Sequence, residues 1–280
     1  MSPPLTSWVG REERRVDVVD ATHLAAWSAT LDRDDPFPRD GDPAPPGFHW
    51  TLFRPLKRQG ELGPDGHARR GGFLPPVPLE RRMWAGSRLV FRRPLLVGDP
   101  VELVSRVARV EEKIGRTGPL CFVTVRHVIG NSRGEALEEE QDLVYRDAPK
   151  PGDPAPALVA PAPRGAWSRR IVPDDVLLFR YSALTFNGHR IHYDRRYAAG
   201  EGYPGLVVHG PLIATLLLDL LRRELPAAEL ERFAFKGVRP TFDTGPFTVE
   251  GSPGDDPRHA RLWSTDNAGQ LGVEAEARLR

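Results

Sequence analysis

The chain has 280 residues, 40% hydrophobic and 28% charged, enough to bury a sizeable core and unlike a disordered or fibrous composition. Its 39 Lys and Arg almost balance 38 Asp and Glu, leaving a net charge of +1, which argues against nucleic acid or an anionic membrane as the main partner. The single cysteine, Cys121, excludes an intrachain disulfide and fits a reducing compartment.

The N-terminal stretch MSPPLTSWVGREERR has no apolar signal core, so a cytoplasmic protein is expected. The segment WSATLD, from Trp27, has a counterpart later in the chain. The loop Asp32–Gly47, DRDDPFPRDGDPAPPG, is too rich in Pro, Asp and Gly for regular structure. Between Arg54 and Asp99 ten Lys and Arg face four Asp and Glu. That surplus is either a solvated face or a patch for an anionic group or an acidic surface. VELVSRVARV, LCFVTVRHVIG and ALEEEQDLVYR then alternate apolar and polar residues, as strands with one buried face do.

The Pro- and Ala-rich run from Arg146 to Gly165 can hold neither a helix nor a central strand. It divides the chain into an N-terminal unit (1–148), a linker (149–166) and a C-terminal unit (167–280). The second unit repeats the first in order: YSALTF answers WSATLD, YPGLVVHGPLI answers PPGFHWTLF, and FTVEG, HARLWSTD and LGVEAEARL supply further strands. GPLIATLLLDLLRREL, Gly210–Leu225, is the strongest helix. Pro211 suits its first position, and Leu212–Leu221 is apolar on nearly every face, so the helix should be buried. It is too short to span a bilayer and carries Asp219. A buried helix wrapped by a curled antiparallel sheet is a hotdog. Two such units predict an α+β double hotdog, a pseudo-dimer within one chain that works alone or pairs with a second copy.

The segment TFNGHRIHYD crowds Asn187, His189, His192 and Asp194 into a few residues. YSALTFNGHRIHYDRRYA followed by VHGPL resembles the signature of the MaoC-like, R-specific enoyl-thioester hydratases. That signature runs roughly Ser-Gly-Asp-x-Asn-Pro-Ile-His-x-Asp, then Tyr-Ala, then His-Gly opening the buried helix. RMWAGSRLVFRRPLLVGD, KIGRTGPLCFV and EEEQDLVYRD resemble one branch of it: 3-methylfumaryl-CoA (mesaconyl-CoA) and itaconyl-CoA hydratases, with the mitochondrial-type 3-hydroxyacyl-thioester dehydratases. The resemblance places His192 at the catalytic histidine and Asn187 where the family has its catalytic aspartate. Phe186, His189 and Arg190 replace the usual Gly, Asn and Pro. In the N-terminal unit Pro38 stands about where the histidine would be, so that unit is expected to shape the acyl and pantetheine tunnel.

Hydrating an enoyl thioester requires a donor at the carbonyl, a held water and a proton for the α-carbon. The N–H of Gly210, at a helix start, suits the first task. His192 suits proton transfer because an imidazole titrates near ~6.5. Asn187 can orient water but cannot take its proton. Either His192 performs the transfers alone, or His189 or Asp194 supplies the base. Tyr181, Arg180, His189, Arg190, His209 and Asp194 are the expected substrate contacts, with Arg190 or Arg180 on a free carboxylate. No metal is expected, because no third ligand accompanies the two histidines of the motif. No cofactor is expected either, since coenzyme A arrives as part of the substrate. The resemblance implies reversible hydration of a short branched dicarboxylic enoyl-CoA to a citramalyl-CoA-type product. A carrier-protein 3-hydroxyacyl dehydratase and a non-enzymatic acyl-CoA-binding subunit are the alternatives.

Overall fold

The structure, a computed structural model, describes residues 3–115, 118–148 and 164–280. Most of the expected linker, and Arg116 and Thr117 of KIGRTGPLCFV, lie outside the described residues.

The N-terminal half contains β1 (Glu12–Val18), α1 (Ala21–Thr30), β2 (Arg81–Phe91), β3 (Pro100–Gly115), β4 (Gly118–Asn131) and β5 (Gly134–Arg146). The C-terminal half contains β6 (Trp167–Ile171), α2 (Asp175–Thr185), α3 (Arg195–Gly200), α4 (Gly210–Glu224), β7 (Leu230–Gly237), β8 (Phe247–Pro253), β9 (His259–Thr265) and β10 (Leu271–Leu279). The alternation read from the sequence sets which strand face is buried. Val101, Leu103, Ser105 and Val107 of β3 point inward while Glu102, Arg106 and Ala108 do not.

All ten strands join one antiparallel sheet in the order β1-β3-β4-β5-β2-β7-β10-β9-β8-β6. The order is palindromic: each strand of the first half has a partner of equal rank in the second. The halves meet at β2 and β7, where Ser87 lies opposite Phe235 and Leu89 opposite Phe233. This is the double hotdog, with the duplication written into the strand order.

The two halves differ in their helices. α4 is buried from Leu212 to Leu221 and packs on β6, β8, β9 and β10. The N-terminal half has α1 but, among its described residues, only a single 3-10 turn, Phe48–Thr51, where α4 has its counterpart. Pro45, Pro46 and Pro55 bracket that segment and leave too little chain to propagate a helix. The turn packs against α4 instead. Gly47, at φ 93°, lies so close that a Cβ there would sit 3.2 Å from Leu218 Cδ1.

Asp219, on α4, is fully buried and paired with Arg33 from the N-terminal half at 3.0 Å and with Arg169 and Arg223 at 2.8 Å each. Three arginines satisfy the one carboxylate in the buried part of the helix. No helix of the described residues is long and apolar enough to cross a membrane.

Candidate active site

α2 ends because Phe186 turns left-handed, at φ 51°, and the Asn187 N–H donates back to the Ser182 carbonyl at 2.8 Å. The Asn187 side-chain oxygen accepts from the His189 N–H at 3.0 Å, which closes the turn. A 3-10 turn, Arg190–His192, follows. Asp194 then caps α3 through the Tyr197 N–H at 3.0 Å. These local hydrogen bonds hold His189 and His192 on one side of the segment.

His192 is 7% exposed, and its Nδ1 lies 2.7 Å from the Val207 carbonyl oxygen. A carbonyl only accepts, so Nδ1 carries the proton and Nε2 presents a lone pair. Nε2 has no protein partner among the described residues. The ring stacks on His209 at 3.7 Å between centroids and 19° between planes. His209 is the residue before α4, and its Nε2 shares a 2.8 Å hydrogen bond with Ser182 Oγ. His192 is thereby fixed beside the N-terminus of the buried helix. The Gly210 N–H finds no acceptor among the described backbone groups, and a Cβ at Gly210 would meet nothing within 4 Å. A free donor beside open space, next to a neutral imidazole, can hold a thioester oxygen as it gains negative charge.

The N-terminal half completes this site. The loop around Asp65 docks on the turn at Gly188: the Arg190 N–H donates to the Asp65 carbonyl at 2.9 Å, and Arg190 Nη1 to the Pro64 carbonyl at 3.1 Å. Gly66, at φ 89°, is packed so tightly that a Cβ would lie 1.8 Å from the Gly188 oxygen. The docked loop delivers His67, whose ring centroid lies 4.1 Å from that of His189, while His189 meets His192 edge-on at 5.4 Å. Half of the chain's eight histidines thus form one row, His67–His189–His192–His209. His67 Nδ1 lies 3.0 Å from Asp65 Oδ2.

Burial sets the protonation of the row. It pulls His192 down to about 4, against the hydrogen bond to Val207, which favours the proton. Burial, then repulsion from His67 and His192, pulls His189 down. His209 is depressed by burial and by His192. His67 is also lowered, by burial and by the charges of Arg82 and Arg70, with Asp65 working in the opposite direction. Burial alone would raise the Asp65 carboxyl, but the hydrogen bonds from His67 outweigh it and hold it well below the usual carboxylate range. All four rings are therefore neutral at pH 7.

Several expected substrate contacts turn out to support the site from behind. Arg190 pairs with Asp194 at 2.7 Å and lies over the Tyr197 ring, so the expected carboxylate contact is already occupied from within. Tyr181 is 1% exposed with its hydroxyl 3.4 Å from Thr215 Oγ1, and His209 is 1% exposed. Arg180 stands on the exposed face of α2. His192, Asn187, His189 and Gly210 do come together. The argument against a metal from the lack of a third ligand does not survive. Asp65, His67 and His189 bring ligand atoms within 4.8 Å of one another. The basic stretch is also not one free patch, since Arg81 pairs with Glu201, Arg88 with Glu140 and Asp142, and Arg92 with Glu135 and Glu138. Asp65, His67 and Ser182 escaped the sequence reading. The only trace of the first two is the Pro-Asp-Gly-His turn at residues 64–67.

Known proteins resemble this chain in sequence and in fold. The family profile of hydroxyacyl-thioester dehydratase type 2 matches residues 47–243. A Chloroflexus aurantiacus protein named mesaconyl-C(4)-CoA hydratase is 43% identical over 274 residues, 96% of each chain. The mitochondrial hydroxyacyl-thioester dehydratase type 2 of Schizosaccharomyces pombe is 28% identical over 73% of this chain and 76% of its own. Among solved structures, a MaoC-like dehydratase from Phytophthora capsici superposes with a TM-score of 0.73 at 13% identity, covering 97% of this chain and 95% of its own. HtdX of Mycobacterium tuberculosis gives 0.68 at 19% identity, over 95% and 98%. A further double hotdog protein from Mycobacterium tuberculosis gives 0.60 at 16% identity, over 97% and 96%.

Proposed function

Because the chain belongs to the hydroxyacyl-thioester dehydratase type 2 family, and so is a hydro-lyase of MaoC-like type, we propose that it hydrates a short branched dicarboxylic enoyl-CoA. The substrate is a mesaconyl (3-methylfumaryl) or itaconyl thioester, and the product is of the citramalyl-CoA type. The chemistry is carried by one observation: the neutral Nε2 of His192 and the free N–H of Gly210 flank the start of the same buried helix. The choice of acyl group is supported by the Chloroflexus relative, which is similar along nearly the whole chain.

In this reading the thioester oxygen accepts from the Gly210 N–H, and the dipole of α4 stabilises the enolate. His192 Nε2 accepts a hydrogen bond from the attacking water and aligns it with the β-carbon. The Asn187 oxygen is engaged by the His189 N–H, so its NH2 group is left to donate to the water oxygen. No cofactor or metal enters, and coenzyme A comes and goes with the substrate. The protein is read as cytoplasmic, acting as a self-contained pseudo-dimer or as a homodimer.

The Schizosaccharomyces pombe relative, named a hydroxyacyl-thioester dehydratase, supports a second reading, which we take to be dehydration of carrier-bound 3-hydroxyacyl chains. The non-enzymatic alternative falls away with the family. A hydration assay on mesaconyl-, itaconyl-, crotonyl- and longer 2-enoyl-CoAs, with matching acyl-carrier-protein thioesters, separates the two. Preference for the dicarboxylic CoA esters is the expected result. Preference for long carrier-bound chains would establish the second reading instead. His192→Ala is expected to lower kcat by about 10²–10⁴-fold, and turnover within a few-fold of the parent would remove His192 from the chemistry.

A further inference from the structure

With Asn at 187, and with Asp194 paired with Arg190 and capping α3, the motif leaves no free carboxylate to receive the proton that the water must lose. We propose that Asp65 and His67, contributed by the N-terminal half, are the proton-accepting pair of this reaction, with the attacking water held between His67 and His192. The inference rests on the hydratase reading and assigns the one step that reading leaves open.

Geometry carries the assignment. His67 Nδ1 lies 3.0 Å from an Asp65 carboxylate oxygen. An ionised carboxylate only accepts, so Nδ1 holds the hydrogen and Nε2 the lone pair. A carboxylate behind an imidazole fixes its tautomer and stabilises the imidazolium that forms when Nε2 takes a proton. His67 is also the more accessible ring: its side chain is 23% exposed, whereas His192 as a residue is 7% exposed. His189, tilted against His67 at 4.1 Å and edge-on to His192 at 5.4 Å, spaces the two. The loop is built to keep this register, since Gly66 admits no side chain against Gly188.

The charged and titratable groups facing His67 are Asp65, His189, His192, Arg70 and Arg82. Two of them are arginines; neither has a carboxylate partner among the described residues. Their positive charge disfavours a metal cation at Asp65, His67 and His189, and it suits an anionic acyl group near the reacting carbons.

The step balances without a co-reactant. The water oxygen bonds to the β-carbon, and one of its O–H bonds breaks toward His67 Nε2. The C=C π pair moves to the α-carbon and thioester oxygen, where Gly210 holds the enolate. The His67 imidazolium then returns that proton to the α-carbon, leaving the 3-hydroxyacyl thioester and a neutral ring.

The test uses the full chain with His67→Ala, His67→Gln, Asp65→Asn and His192→Ala on the same substrate panel. Both His67 variants are expected to lose about 10²–10⁴-fold in kcat with KM changed only a few-fold. Imidazole in the buffer is expected to restore part of the His67→Ala rate and none of the His67→Gln rate, because only alanine leaves room for it. Asp65→Asn removes the anion that raises the proton affinity of His67, so the acid limb of kcat/KM moves to lower pH. If His67→Ala keeps turnover within a few-fold of the parent while His192→Ala does not, the inference falls and the hydratase reading stands. Loss without imidazole rescue, together with an unmoved acid limb in Asp65→Asn, reduces the loop to a brace and also overturns it. Turnover abolished by a chelator and restored by Zn²⁺ makes the cluster a metal site and overturns the base role. A parent that hydrates no member of the panel overturns both.

Discussion

His192 shows how one residue couples stability to chemistry. Its ring is neutral because burial penalises the cation, which brings it down to about 4. In the unfolded chain the same group titrates near ~6.5. Above that value neither state binds the proton and the full stability is present. As pH falls, the unfolded chain takes up a proton that the folded chain refuses, so stability is lost between about 6.5 and 4. Near pH ~5 this one ring contributes a slope of about 1.4 kcal/mol per pH unit, and His67, His189 and His209 add in the same direction. We expect the resistance of the parent to urea to weaken steeply between pH ~6.5 and ~5. His192→Gln should remove about one proton's worth of that slope. An unchanged slope in the variant would mean that His192 is protonated in the folded chain.

At the scale of elements, a loop and a turn from opposite halves make the site by docking. The turn at Asn187–His192 is set by local rules: a left-handed residue at Phe186, an Asn that bonds two residues on, and an Asp that caps α3. The loop that meets it depends on Gly66. A left-handed alanine costs about 1–2 kcal/mol, and at this position its Cβ would also overlap the Gly188 oxygen. Gly66→Ala is therefore expected to undock the loop and to lower both melting temperature and hydration rate, with far-UV circular dichroism unchanged because no strand or helix depends on residue 66. A variant equal to the parent in melting and in rate would show that the loop is not held there.

On the scale of the whole molecule, the sheet crosses from one half to the other at β2 and β7, and Arg33 of the first half joins the halves a second time by pairing with Asp219 beside Arg169 and Arg223. Removing one partner of a buried charge cluster costs about 3–5 kcal/mol, because the others are left uncompensated. Asp219→Ala should destabilise the fold by that order in chemical denaturation, and Asp219→Asn by less, since the amide still accepts hydrogen bonds. An effect below about 1 kcal/mol, the range of exposed ion pairs, would show that water reaches the cluster.

What local chemistry fixes was legible in the residues alone. Period-two alternation gave β3, β4, β5, β8, β9 and β10 but not β1, β2, β6 or β7, Pro211 and a largely apolar run gave α4, and the paired segments gave the duplication that the palindromic sheet displays. The same rules shaped the turn at Asn187–His192 and the helix start at Gly210, while the Val207 hydrogen bond and the His209 stack brought the two together. Only the tertiary structure decided that the first half gives up its long helix, that Arg190 and Asp194 consume each other's charge, and that His67 stands against His189. Those outcomes depend on which surfaces remain unpaired once the sheet has closed. Residues far apart in the chain leave no periodic trace of the contact that joins them.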